Sequence, residues 1–173
     1  MIRAARPEEF PRLREIEFEA DGMFAEVGIG PFDNDESENH LAQASAVLVA
    51  EDPAVGFACV EIVDGAAHLW QLAVLPSQGR RGRGTALVTA VCDWAEAHGF
   101  EAVTLTTFRD VPWNGPFYER LGFEVVGEPG PGLAAIRLHE RAVGDDGFGP
   151  RVAMRKELRQ LPEGDGPGAH GPN

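Results

Sequence analysis

Between an apolar run and a helical repeat, Gly79 to Gly84 holds three glycines and three arginines in six consecutive positions. Leu72 to Leu75 before it is continuous and apolar, and Pro76, which has no N–H to give to a ladder, ends it as a strand. After it, Leu87, Val91, Trp94 and Ala95 recur on one face of a helix beginning near Thr85. Such a strand–loop–helix fixes much of a fold, because a helix leaving a strand must pack back on the same sheet. Glycines let the backbone approach a ligand, and the first amides of the helix point outward with a favourable dipole. The segment therefore suits an anion, best a phosphate. Neither common nucleotide loop fits. Gly79 to Gly84 has the spacing of a P-loop, but Thr85 follows Gly84 with no lysine between, and after Gly82 and Gly84 the third glycine of a dinucleotide fingerprint is replaced by Leu87.

The rest of the chain narrows the ligand. Net charge is −13, from 28 acidic and 15 basic residues, so a polyanion-binding surface is disfavoured and nucleic acid is not an expected partner. Arg80, Arg81 and Arg83 are a local exception, which points to a small anionic ligand. No apolar run approaches the ~18 residues of a membrane span, and no signal-like apolar core opens the chain, so no membrane and a cytoplasmic location are expected. Length fits one domain, residues 1–158, followed by a Gly/Pro-rich stretch, 159–173, that reads as a disordered tail. Cys59 and Cys92 make no metal spacing and read as buried free thiols.

Taken in order, the patterns predict a strand at Ile2–Arg6, a helix at Glu8–Ala20 stopped by Asp21-Gly22, and a broken region from Met23 to His40 with short helices near Phe24 and over Glu36–Gln43. Strands follow at Val47–Ala50, Gly56–Val63 and His68–Leu75, the last two joined by the hairpin signal Asp64-Gly65. The central helix Gly84–His98 closes at Gly99, and Ala102–Phe108, apolar on both faces, is a buried strand parallel to His68–Leu75. A short helix Asn114–Leu121, a strand Phe123–Gly127, a segment Leu133–Ala142 that favours helix over strand, and a strand Arg151–Leu158 complete it. This is an α/β chain with a mixed sheet flanked by helices.

Two blocks resemble the GCN5-related N-acetyltransferase (GNAT) superfamily. Its acyl-CoA pyrophosphate loop runs Val-x-Pro, then Gln/Arg-x-x-Gly-x-Gly/Ala, then a helix with Leu three residues on. Val74, Pro76, Gly82, Gly84 and Leu87 take those places, with Gly79 at the Gln/Arg position between Gln78 and Arg80. A register shifted to Arg81, Gly84 and Ala86 also satisfies the loop but puts Leu87 out of step. The second block, Val111-Pro112-Trp113-Asn114-Gly115-Pro116-Phe117-Tyr118-Glu119-Arg120-Leu121-Gly122-Phe123, resembles the branch carrying Val-Pro-Trp-Asn-x-Pro-Phe/Tyr-Tyr. The resemblance implies a mostly antiparallel sheet splayed at two parallel strands. It also implies acetyl-CoA as co-substrate, no metal, and acetyl transfer to a primary amine of a small molecule or a protein. Leu72, Ala73 and Val74 would pair with the pantetheine, Gly79, Arg80, Arg81, Gly82, Arg83, Gly84 and Thr85 would hold the pyrophosphate, and Asn114, Phe117 and Tyr118 would complete the cofactor site. Tyr118 would supply a proton or hydrogen bond to the departing thiolate.

The proton acceptor is not carried over. Many family members place a glutamate on the first central strand, where this chain has Trp70-Gln71; the substitutes are Glu61 on the neighbouring strand and His68 at the strand start. Acids from Asp33 to Glu38 border the expected acceptor side and would attract a cationic amine. Residues 132–149 lengthen the usual hairpin between the last two strands and are a candidate homodimer interface. The alternative to an enzyme is a regulatory module that binds acyl-CoA without turnover.

Overall fold

A computed structural model describes residues 1–32 and 36–159. The expected disordered tail, apart from Arg159, and three residues of the acidic loop lie outside the described residues. Among the described residues one seven-stranded sheet organises the fold, in the order β1-β2-β3-β4-β5-β7-β6. Its strands are β1 (Ile2–Ala4), β2 (Ala46–Ala50), β3 (Gly56–Val63), β4 (Ala66–Val74), β5 (Ala102–Phe108), β6 (Glu124–Val125) and β7 (Arg151–Glu157). All neighbours are antiparallel except β4 and β5, which are parallel, as the intervening helix predicts. The helices are α1 (Phe10–Asp21), α2 (Ser37–Gln43), α3 (Arg83–Ala97), α4 (Gly115–Arg120) and α5 (Pro131–Ala142).

Both faces of the sheet are covered. On one, Leu87, Val88 and Val91 of α3 meet Ala67 and Leu69 of β4, Val103 and Leu105 of β5, and the rings of Tyr118 and Phe123. On the other, Leu13 and Ile16 of α1 and Leu41 of α2 pack on Val49, Phe57, Cys59 and Ala73. Cys59 and Cys92 are buried free thiols. Among the described residues no helix is long and apolar enough to cross a membrane.

Several boundaries differ from expectation for local reasons. The first helix opens as a 3-10 turn, Pro7–Glu9, because Glu9 reaches back to accept the Arg6 N–H at 2.8 Å and the Arg3 guanidinium at 2.7 and 2.9 Å, and the α-helix starts only at Phe10. Gly22 does not stop the chain: its φ is −59°, and a further 3-10 turn, Gly22–Val27, ends at Gly28 with φ 77°. The strand expected at Phe123–Gly127 shrinks to Glu124–Val125, an edge strand that among the described residues pairs only with β7.

Leu133–Ala142 is helical, and its start is fixed from a distance. Asp64, in the β3–β4 hairpin turn, accepts the N–H of Gly132 at 2.7 Å and of Leu133 at 2.9 Å, satisfying two of the amides a helix start leaves open. Asp64→Asn keeps a side chain that tolerates the positive φ of 52° at this position, but gives up one acceptor oxygen and the charge. We expect a loss of about 1 kcal/mol in urea denaturation, and an unchanged midpoint would show that the cap contributes nothing. Within the 132–149 segment Leu138 and Val143 are exposed.

Candidate functional site

The central parallel pair is joined only at its base. β4 and β5 pair at Ala67 with Val103 and at His68 with Thr104, and beyond that the described residues show no partner for β4 on this side. On its other side β4 stays paired with β3 as far as Val74 with Gly56. Since the backbone groups of successive strand residues point alternately to the two sides, Leu69–Val74 presents N–H and C=O groups to a widening gap. A β-bulge sharpens the geometry: Val60 faces Leu69 and Cys59 faces Gln71, so Trp70 is the extra residue on β4. The extra residue shifts the alternation of side chains, so Trp70 and Ala73 both join the α1/α2 face while Leu72 and Val74 pack against the α3 face.

The open edge leads into the glycine–arginine loop. A 3-10 turn, Pro76–Gln78, is followed by Arg80 at φ 60° and Gly82 at φ 75°, and α3 starts at Arg83. The Ala86 N–H closes on the Gly82 carbonyl at 2.9 Å, so the amides of Arg83, Gly84 and Thr85 form the open N-terminus. Gly82 needs its left-handed backbone. Gly84 lies under the Phe117 ring, 3.5 Å from where a β-carbon would stand. The three arginines differ. Arg80 and Arg81 are exposed, Arg81 reaching Gln78 at 3.5 Å, whereas Arg83 turns back to within 3.8 Å of Glu51.

Asn114 stands at the N-cap position of α4 and accepts the Thr107 hydroxyl at 2.7 Å, tying the helix to β5. Tyr118, on that helix, is 8% exposed and packs edge-on against Phe117 and Phe123, at 5.1 and 5.6 Å between ring centroids. Burial drives its phenol pKa upward, so the hydroxyl keeps its proton at any ordinary pH. The structure thus brings Leu72–Val74, Gly79–Thr85, Asn114, Phe117 and Tyr118 into one region around the fork and the start of α3.

The two base candidates sit differently. His68 is 1% exposed at the fork, its Nδ1 2.9 Å from the Thr104 hydroxyl, and desolvation brings its pKa down to about 4. Glu61 lies across from it in register, and its Oε1 is 2.5 Å from Nδ1 of His40, on α2. The His40 ring stacks on Trp70, at 3.6 Å and 19° between planes. Beside them a narrow crevice, with no room for a water molecule, is lined by Glu17, Ser37, His40, Leu41, Trp70 and Gln71. Glu17 is 5% exposed and accepts the Ser37 hydroxyl at 2.8 Å, and burial raises its carboxyl to about 7. Sequence reading missed His40 and Glu17. The Asp64-Gly65 turn sets Glu61 opposite His68, but only the docking of α1 and α2 brings the other two over Trp70.

Of the acidic loop, Asp33 and Asp35 lie outside the described residues. Glu36 lies 3.6 Å from His139, and Glu38 is paired with Arg14 at 3.1 Å. Among the described residues no group of His, Cys, Asp or Glu is arranged to hold a metal ion.

The fold is shared with solved acetyltransferases. The ribosomal-protein-S18-alanine N-acetyltransferase of Escherichia coli superposes with a TM-score of 0.67 at 19% identity, covering 95% of this chain and 97% of that one. The PaiA N-acetyltransferase of Thermoplasma acidophilum, in complex with coenzyme A, gives 0.68 at 19% identity, with 91% and 98% covered. A GNAT acetyltransferase of Brucella melitensis, in complex with acetyl-CoA, gives 0.56 at 22%, with 75% and 88% covered. The sequence model of the acetyltransferase (GNAT) family matches residues 5–123, well over half the chain. A parallel pair forked beside a bare helix N-terminus, together with that match, places this chain in the GNAT acetyltransferase family.

Proposed function

We propose that this acetyltransferase moves the acetyl group of acetyl-CoA directly to the primary amine of a small molecule. The observation that carries the reading is the open edge of β4 running into the N-terminus of α3. Pantetheine amides pair with the exposed backbone of Leu72, Ala73 and Val74. The pyrophosphate lies on the amides and arginines of Gly79–Thr85, where helix dipole and guanidinium charge act together. Asn114 ties α4 to β5, Phe117 packs over Gly84 of the loop, and the Tyr118 hydroxyl meets the sulfur. The excess of acids favours a cationic acceptor over an anionic one. A protein N-terminus is the second reading, suggested by the fold shared with the S18-alanine enzyme.

Outright proton transfer from Tyr118 to the thiolate would call for a phenol pKa below the ordinary value of about 10. Burial raises it instead. Its role is therefore that of a neutral hydrogen-bond donor that stabilises charge developing on sulfur in a water-poor site. Thiol release from acetyl-CoA over putrescine, tyramine, glucosamine, L-lysine and an alanine-initiated pentapeptide tests the reaction, and tight CoA binding with no release across the panel would favour a regulatory module. Tyr118→Phe should lower kcat about 100-fold, within the range of a lost preorganised donor, while the calorimetric Kd for acetyl-CoA stays within about twofold. Full turnover in that variant would end the donor role.

A further inference from the structure

We infer that His40, held by Glu61 and stacked on Trp70, is the group that takes the proton from the attacking amine. The inference rests on the acetyl-transfer reading above. Its ground is a convergence of three elements. Glu61 of β3 engages Nδ1, so the neutral ring carries its hydrogen there and leaves the Nε2 lone pair open. No hydrogen-bond partner of Nε2 stands among the described residues. Trp70, the bulged residue two past the fork, supports the ring face to face. His40 and Trp70 border the same crevice as Gln71, the residue before the stretch assigned to pantetheine, so the imidazole stands beside that strand.

The chemistry balances with groups already named. An alkylammonium gives one proton to His40 Nε2, and the freed nitrogen lone pair attacks the acetyl carbonyl carbon, forming the C–N bond. The C–S bond breaks with its electron pair passing to sulfur, which is steadied by the Tyr118 hydroxyl. The nitrogen's second excess proton ends on the thiol, and the proton on His40 leaves to water. Glu61 is a positioning residue here, acting through the imidazole. His68 is the weaker choice, because it is enclosed and its Nδ1 is already engaged with Thr104. The titratable groups around His40 are Glu61 and Cys59 of β3, Glu17 of α1 and His68 of β4, with Glu36 and Glu38 on or beside its own helix.

The test follows kcat/KM against pH for the panel amine that the wild type acetylates fastest, with calorimetric acetyl-CoA binding and circular dichroism as controls. His40→Gln should lower kcat/KM about 100-fold at neutral pH and lose the limb set by the imidazole, with the rate climbing back as free amine accumulates at high pH. Glu61→Gln should lower kcat/KM about tenfold and displace that limb, with acetyl-CoA affinity kept. A His40→Gln variant that binds acetyl-CoA normally and keeps both rate and limb overturns the assignment. A wild type that releases no thiol with any amine overturns the transfer reading, and this assignment with it, and the two failures are told apart by the wild-type rate.

Discussion

Gly115→Ala is expected to lose about 4 kcal/mol of folding stability, among the larger effects a single methyl group can have. A β-carbon at Gly115 would stand 2.3 Å from the Arg109 carbonyl oxygen, 3.0 Å from its carbon and 3.1 Å from the Phe108 carbonyl oxygen. These atoms are backbone at the end of β5, so no side-chain rotation relieves the contact. Overpacking in a well-filled core costs about 1–3 kcal/mol when side chains can shift, and here the strand or the helix must move. Displacing α4 breaks the Asn114–Thr107 hydrogen bond and withdraws Tyr118 from the core it shares with Phe123. Guanidinium denaturation gives the difference directly. A midpoint within about 0.2 M of wild type, corresponding to about 1 kcal/mol or less, would mean the β5–α4 corner yields far more easily than its geometry implies.

The same corner shows which parts of the fold were legible in the sequence. Val111 to Phe123 reads as a motif, and its helix was placed within a residue at each end, because Gly115-Pro116 and Gly122 are local signals. Ala102–Phe108 and the Asp64-Gly65 hairpin were equally plain, since β-branched runs and a two-residue turn carry their meaning locally. Other features are set by tertiary contacts. The bulge at Trp70 has no glycine to mark it, and it stands where β4 has left β5 but remains paired with β3. Helix over strand at Leu133–Ala142 was favoured only by spacing; the cap that fixes its start comes from Asp64, far away in sequence. The donor side of the site was readable because phosphate binding uses a contiguous loop. The acceptor side was not, because Glu17, His40, Glu61 and Trp70 come from four elements and meet only after packing.

Glu17→Gln should stabilise the protein by about 3 kcal/mol at pH 8 and leave it nearly unchanged at pH 4.5. Burial on α1 raises the folded-state carboxyl to about 7, against about 4.5 in the unfolded chain, the Ser37 hydroxyl offsetting only part of the shift. Between those values the folded state holds a proton that the unfolded state has lost, so stability is greatest below the unfolded value and declines as pH rises through the folded one. A gap of that size, at 1.36 kcal/mol per pH unit, gives the figure of about 3 kcal/mol. Glutamine keeps an acceptor for Ser37 and removes the titration. The wild-type curve alone would conceal this, because His68 works in the opposite direction: its pKa is lowered to about 4 from 6.5, so across that window the unfolded state binds the extra proton and stability rises with pH. The two slopes oppose each other up to about pH 6.5, and only Glu17 continues to about 7, so the quantity to measure is the difference between variant and wild type in urea denaturation from pH 4.5 to 8. A difference that is flat across this range would mean Glu17 meets solvent or a cation in solution. In that event the crevice beside Trp70 opens without ligand, and a carboxylate stands ionised next to His40 at the pH of the reaction.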